Sequence, residues 1–282
     1  MSRRALAPVD AIARTAQDIG EQNLSGRLAV PPTGDELQRL TETLNGMLNR
    51  LEGAFKRVTQ FTGDASHELR TPLSIMRTRA EIVLRRPRSE TEYRGAFAQI
   101  LNDLESTTDL IGKLMLLARA DSGAEALQFI PVDLTDTVRE VSRQGRALAQ
   151  SQPINYQEQI AEDPIIVEGD AHALQRLFLI LIDNAVKYTP TEGQITASLT
   201  KTTNFVVAEI RDTGTGIGEA DLPHIFERFY RADKARSREL GGAGLGLSIG
   251  RWIAEAHRGT IEVESTAGQG SVFRVRLPIS KS

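Results

Sequence analysis

From Leu40 to Val83 an apolar residue returns every three or four positions, and this long stripe constrains the fold more than any other feature of the chain. Leu40, Leu44, Met47, Leu51, Ala54, Val58 and Phe61 alternate the two spacings, as a coiled coil requires. Ala65, Leu69 and Leu73 then follow at four-residue steps before Met76, Ala80 and Val83 restore the alternation. Such a stutter unwinds a coil locally. Pro72 lies inside it, where it lacks an N–H and frees the carbonyl of Glu68. Arg85-Arg86-Pro87-Arg88 ends the helix, and Ser89 with Glu92 forms a capping box for the next. The returning helix carries Ile100, Leu104, Thr107, Ile111, Leu114 and Ala118. A hairpin of two such helices needs a partner for its stripes, and dimerisation into a four-helix bundle supplies one.

The segments on either side differ in kind. Residues 5 to 20 carry Val9, Ile12, Ala16 and Ile19, the stripe of a short packed helix, and an extended stretch leads to Pro31-Pro32. After Asp121-Ser122-Gly123 the pattern becomes mixed. Strands are expected at Leu127–Val132, Ile165–Glu168, Gln194–Leu199, Phe205–Ile210, Thr260–Glu264 and Ser271–Leu277, with helices at 134–149, 171–188 and 244–257. A two-layer α/β module is the expected architecture there. With 282 residues the chain is long enough for two or three modules. A net charge of -3 gives no electrostatic case for nucleic acid, and the lack of cysteine rules out disulfides and thiolate metal sites. No apolar run approaches the roughly 18 to 20 residues of a membrane span, so the chain as written is expected to be soluble.

Four histidines occur, and His67 stands apart from His172, His224 and His257. Ala65 and Leu69 bracket one face of the long helix, and at about 100° per residue His67 points away from it. A largely neutral imidazole there can act as a nucleophile. Glu68 can hold the other ring N–H, and the Thr71 hydroxyl, one turn on, can position a water. A surface histidine beside a surface glutamate produces the same short pattern.

Three stretches of the α/β module suit a nucleotide. Phe178 to Tyr188 is apolar almost all round and reads as a buried helix, so Asn184 near its end needs a partner. Mg²⁺ bridging to phosphates would be one, and Lys187 at i+3 can reach a phosphate; an ordinary helix end accounts for both as well. A strand next runs into Asp212-Thr-Gly-Thr-Gly216, where Asp212 can accept from an adenine amino group and Gly214 and Gly216 let backbone approach the base. A plain turn is the alternative. Gly242, Gly244 and Gly246 open a helix whose free N–H groups suit phosphate, after a basic stretch with Lys234, Arg236 and Arg238 that suits a lid or a solvated loop.

Together these residues resemble the sensor histidine kinases of bacterial two-component systems. His67-Glu-Leu-Arg-Thr-Pro72 resembles the family's phosphoacceptor box, and Asn184-Ala-Val-Lys-Tyr188 its Asn box. Asp212 to Ile217 and Gly242 to Leu247 resemble the two glycine boxes, and Phe226-Glu-Arg-Phe229 the phenylalanine box. Residues 1–53 are similar to a HAMP signalling linker. The resemblance implies three modules: this linker, a dimeric phosphotransfer hairpin at 54–122, and an ATP-binding domain of the Bergerat type at 123–282. It implies ATP and Mg²⁺, with Asn184 on the metal and nucleotide contacts at Lys187, Tyr188, Asp212, Gly214, Gly216, Gly242, Gly244, Leu245 and Gly246. It further implies His67 as phosphoacceptor, Glu68 as its partner, a response-regulator aspartate as the next recipient, and Thr71 as the group positioning water when the kinase dephosphorylates that regulator. The linker implies the cytosolic portion of a membrane receptor, joined to the membrane only through a segment outside this sequence.

Two departures stand out. Ile180 takes the position where the family often has a second Asn and where related ATPases carry a water-activating Glu. Isoleucine cannot activate water, which counts against a hydrolytic ATPase. Arg258 stands where the family commonly has Gly, with a small local effect expected. A nucleotide-binding pseudokinase scaffold is the remaining rival, and the complete set of boxes argues against it.

Overall fold

A computed structural model describes residues 23–32, 34–149, 153–160, 162–232 and 242–280. The expected helix at residues 5 to 20, Gly241, and the basic stretch with Lys234, Arg236 and Arg238 lie outside these. The chain divides into two compact units, Met1–Glu68 and Leu69–Ser282.

In the first unit an extended segment lies along the start of helix α1 (Glu36–Leu84). Leu28 is its buried anchor. The Asn45 amide holds the backbone of that residue at both ends, accepting from its N–H and donating to its carbonyl at 2.9 Å each. Arg27 donates to Asn49 and pairs with Glu52, so a polar clamp flanks the apolar one. Helix α1 continues past Glu68 into the second unit with Pro72 inside it. Leu40, Met47, Leu51 and Val58 of the coil stripe are exposed.

The second unit begins with the rest of α1 and the returning helix α2 (Glu90–Asp121), tied by an Arg79–Asp103 ion pair at 3.0 Å. Ser89 and Glu92 close the expected capping box. Thr107, Leu110, Leu114 and Leu117 are buried, whereas Phe97, Leu101, Leu104, Ile111 and Met115 are exposed.

The α/β module has helices α3 (Leu134–Ala149), α4 (Ala171–Tyr188) and α5 (Gly246–Ala256). A five-stranded sheet runs in the order β2-β4-β5-β7-β6, from β2 (Asn155–Ile160), β4 (Gln194–Lys201), β5 (Phe205–Asp212), β6 (Thr260–Thr266) and β7 (Gly270–Pro278). β2 pairs parallel to β4, and the other pairs are antiparallel. A separate ribbon pairs β1 (Ile130–Asp133) with β3 (Ile166–Gly169). The core forms because β4 and β5 alternate: Ile195, Ala197 and Leu199, then Val206, Ala208 and Ile210, point inward. Leu174, Leu177, Phe178, Leu181 and Ile182 of α4, with Ile249 and Ile253 of α5, cover them.

Strand β2 has no counterpart among the expected strands. Its sequence is polar, and Tyr156 and Ile160 are its only half-buried residues. Burial pushes the Tyr156 phenol up to about 12, and its hydroxyl donates to Ser142 of α3 at 3.2 Å. One aromatic anchor and the parallel ladder to β4 hold this strand, so hydrophobic alternation does not reveal it.

His257 has a structural role. It is 3% exposed, its Nε2 accepts from the Asp170 N–H at 2.9 Å, and its Nδ1 lies 2.7 Å from the Ile253 carbonyl. That pairing requires the proton on Nδ1, so the ring is held neutral, and burial lowers its pKa.

Just beyond, Arg258 has φ +57°. Its N–H reaches Glu255 and the N–H of Gly259 reaches Ala254, the two bonds of a Schellman motif. Arg258 therefore fills the left-handed position that glycine occupies without strain. Arg258→Gly should stabilise the chain by about 1 kcal/mol. Urea unfolding measures this, and an unchanged or lowered midpoint contradicts it.

Candidate nucleotide site

β5 places the first candidate side chain. Its inward alternation continues one step beyond Ile210, so Asp212 occupies a core-facing position and is 7% exposed. Burial raises its pKa, opposed by N–H bonds from Gly214 and Ser271. The Gly214 bond to Oδ1 is 2.8 Å long. A carboxylate held this way is a directional acceptor at the bottom of a pocket.

The pocket has a volume of about 410 Å³. Asp212 and Phe273 come from the sheet, and Ile180, Asp183, Asn184, Lys187 and Tyr188 from α4. Residues Thr215 to Gly218 and Gly242 to Leu247 supply two backbone walls. The expected nucleotide residues thus gather in one cavity, all of them except Gly214. A Cβ at Gly214 would lie 2.5 Å from the Tyr188 carbonyl, so glycine there serves the turn's own packing. Gly216 lines the cavity with φ +63°, and a Cβ on it would meet the Thr266 carbonyl at 2.0 Å. Its need for glycine is likewise internal to the protein.

α4 is not buried all round as its composition suggests. Ile180, Asp183, Asn184 and Lys187 are half-buried because that face borders the cavity. Apolar composition marks a face closed to water, and a ligand pocket resembles core in that respect. The Asn184 amide makes no hydrogen bond to another described residue. Lys187 donates to Asp183 at 2.6 Å, so its ammonium is already partly neutralised.

The glycine-rich turn ends at α5. Leu245 is the N-cap and makes no side-chain capping bond, so the first N–H groups of the helix lack side-chain caps at the cavity wall. Gly244 has φ +69°, and its carbonyl accepts from the Phe229 N–H at 2.8 Å. Free N–H groups at a helix start, with the helix dipole behind them, suit phosphate.

Sequence reasoning missed several lining residues. Ile225 and Tyr230 lie between the two glycine turns, and the Tyr230 hydroxyl donates to Asp221 at 2.6 Å. Lys113 reaches the cavity from α2. His67, Glu68 and Thr71 belong to α1, where His67 and Thr71 are exposed and Glu68 is half-buried.

The family models match in the same order. A HAMP domain matches residues 1–53, a His Kinase A (phospho-acceptor) domain residues 57–123, and a histidine kinase-, DNA gyrase B- and HSP90-like ATPase residues 169–281. Sensor protein CutS of Streptomyces coelicolor is 34% identical over 280 residues, covering 99% of this chain and 67% of its own. The chain is a sensor histidine kinase. Sensor histidine kinase CusS of Escherichia coli K12 is 33% identical across 96% of the chain and 56% of its own length. The solved histidine kinase ThkA, in complex with response regulator protein TrrA, shares the fold with a TM-score of 0.64 at 22% identity, covering 80% of this chain and 64% of that one. As a sensor histidine kinase the chain is an ATP-dependent protein-histidine kinase. These relatives favour that reading over the hydrolytic ATPase and the pseudokinase scaffold. No helix among the described residues is long and apolar enough to cross a membrane.

Proposed function

We propose that His67 takes the γ-phosphoryl group of ATP bound in the cavity and passes it to an aspartate on a response-regulator receiver domain. The gathering of Asn184, Lys187, Tyr188, Asp212 and the Gly242–Gly246 turn around one cavity carries this reading. Asp212 accepts from the adenine amino group. The N–H groups at the start of α5, with Lys187, hold phosphate. Leu245 and Tyr188 form part of the wall around the nucleotide.

Magnesium fits this site as an ion that arrives with the phosphates. Asn184 offers an amide oxygen at the cavity wall, and among the described residues no cluster of three His, Cys or carboxylate groups forms a cage. Mg²⁺ prefers oxygen and keeps its waters, so one protein oxygen beside the phosphates suits it, and it would neutralise charge there. The chain's own task is positioning, which a loose phosphoryl-transfer transition state rewards. His67 is exposed and supplies the nitrogen lone pair, while Glu68 steadies the ring. Thr71 holds the water that removes phosphate from the regulator.

The modules comprise the 1–53 linker, the 54–122 hairpin and the 123–282 catalytic domain. The exposed stripe of Phe97, Leu101, Leu104, Ile111 and Met115 favours a homodimer that buries it in a four-helix bundle. The HAMP match favours a cytosolic portion of a bacterial membrane receptor.

Incubation with γ-labelled ATP and a receiver domain tests the reaction. Label should appear on the chain in acid-labile, alkali-stable form and then move to the receiver. Thr71→Ala should leave both steps in place and slow the loss of phosphate from the receiver. Label that never leaves the chain for any receiver would contradict the transfer.

A further inference from the structure

We propose, on the basis that the cavity holds ATP, that Lys113 of the phosphoacceptor hairpin contacts the nucleotide's phosphates and makes ATP affinity depend on the seating of α2. Lys113 lies on α2 yet lines the cavity formed by the α/β module. Two turns further along, Asp121 receives both guanidinium nitrogens of Arg228, each at 2.6 Å. Arg228 precedes Phe229, which has φ +62° and donates its N–H to Gly244 in the cavity wall. The end of α2 is thereby tied to the glycine turn, and the tie fixes where Lys113 sits.

Charge explains what an ammonium does at this place. Among the described lining residues the cations are Lys113, Lys187 and Arg231, and the carboxylates are Asp183, Asp212 and Asp221. Without Lys113 these described residues are net negative, a poor setting for a polyphosphate. Adenine has no use for a cation, whereas phosphate does, and lysine binds phosphate as a mobile point charge. Lys113 pairs with Asp109 at 2.5 Å, and the carboxylate of that pair is 64% exposed. Four methylenes allow the ammonium to leave such a partner for a stronger anion, because a solvated pair of this kind is weak.

Calorimetric titration of the full chain with ATP, ADP and adenosine, in magnesium, tests the assignment. Lys113→Gln should weaken ATP about tenfold, ADP by less, and adenosine not at all. Lys113→Arg should retain most of the affinity. Asp109→Asn separates this from a structural role: it breaks the same ion pair but should leave ATP binding unchanged or tighter. ATP affinity unaffected by Lys113→Gln overturns the proposal, as does an equal loss for adenosine or an Asp109→Asn variant that mimics Lys113→Gln. A wild-type chain that binds no ATP would instead remove the nucleotide reading of the cavity itself.

Discussion

His67→Gln should lower incorporation of label from γ-labelled ATP by at least about 10³-fold while leaving ATP affinity within about twofold of wild type. Glutamine fills similar space on an exposed helix position, so α1 should keep its packing. Its amide nitrogen has no available lone pair, because resonance draws it into the carbonyl, and no phosphoramidate can form. The split between chemistry and binding is the informative part. Label lost together with ATP binding would mean that the substitution disturbs the fold. Label retained would mean that another group accepts the phosphoryl.

Asp212→Asn should weaken ATP about 10²-fold, as loss of a hydrogen bond to a buried charge implies. Its effect on stability runs the other way. Burial raises the Asp212 pKa, so the folded chain holds this proton more tightly than the unfolded chain. Above that raised value the buried charge opposes folding, and the opposition fades as the pH falls through it. Asparagine removes the charge, so the melting temperature at neutral pH should be unchanged or higher. A site residue that weakens the fold at neutral pH is retained for its chemistry. Reduced ATP binding accompanied by a lower melting temperature would contradict this account, and wild-type affinity would remove Asp212 from the adenine site.

Asp212 also shows what the sequence makes legible. Its inward position follows from the alternation of Val206, Ala208 and Ile210, so its burial can be read along one strand. The helix boundaries of α3 and α4 were legible for the same reason, since a continuous apolar face dictates them. Strand β2 is not, because its hold on the fold comes from Tyr156 and a ladder to residues 39 positions further along the chain. The glycines of the first turn have a packing reason that the sequence alone does not show. Gly214 and Gly216 are tight against the Tyr188 and Thr266 carbonyls, contacts that exist only once the turns are folded.

Lys113 lay beyond local reading altogether. On α2 it has the ordinary look of a lysine four residues after an aspartate, and its ion pair with Asp109 bears that out. Only the folded unit brings it to the nucleotide cavity. The same holds for Asp121, which sequence marks as a polar break and the structure joins to Arg228. Asn184 lies between these cases: the sequence signals a polar group among apolar neighbours, but whether those neighbours form core or a ligand wall depends on what packs opposite.

The most direct measurement is the location of the phosphoryl group. After a short incubation with ATP and magnesium, cleavage beside basic residues under alkaline conditions releases Val58 to Arg70, which contains His67 and no other histidine. Mass analysis of fragments should place one phosphoryl group on His67, with acid removing it. A phosphoryl group on Ser66, Thr62 or Thr59 that survives acid, or one on His172, His224 or His257, would contradict the account.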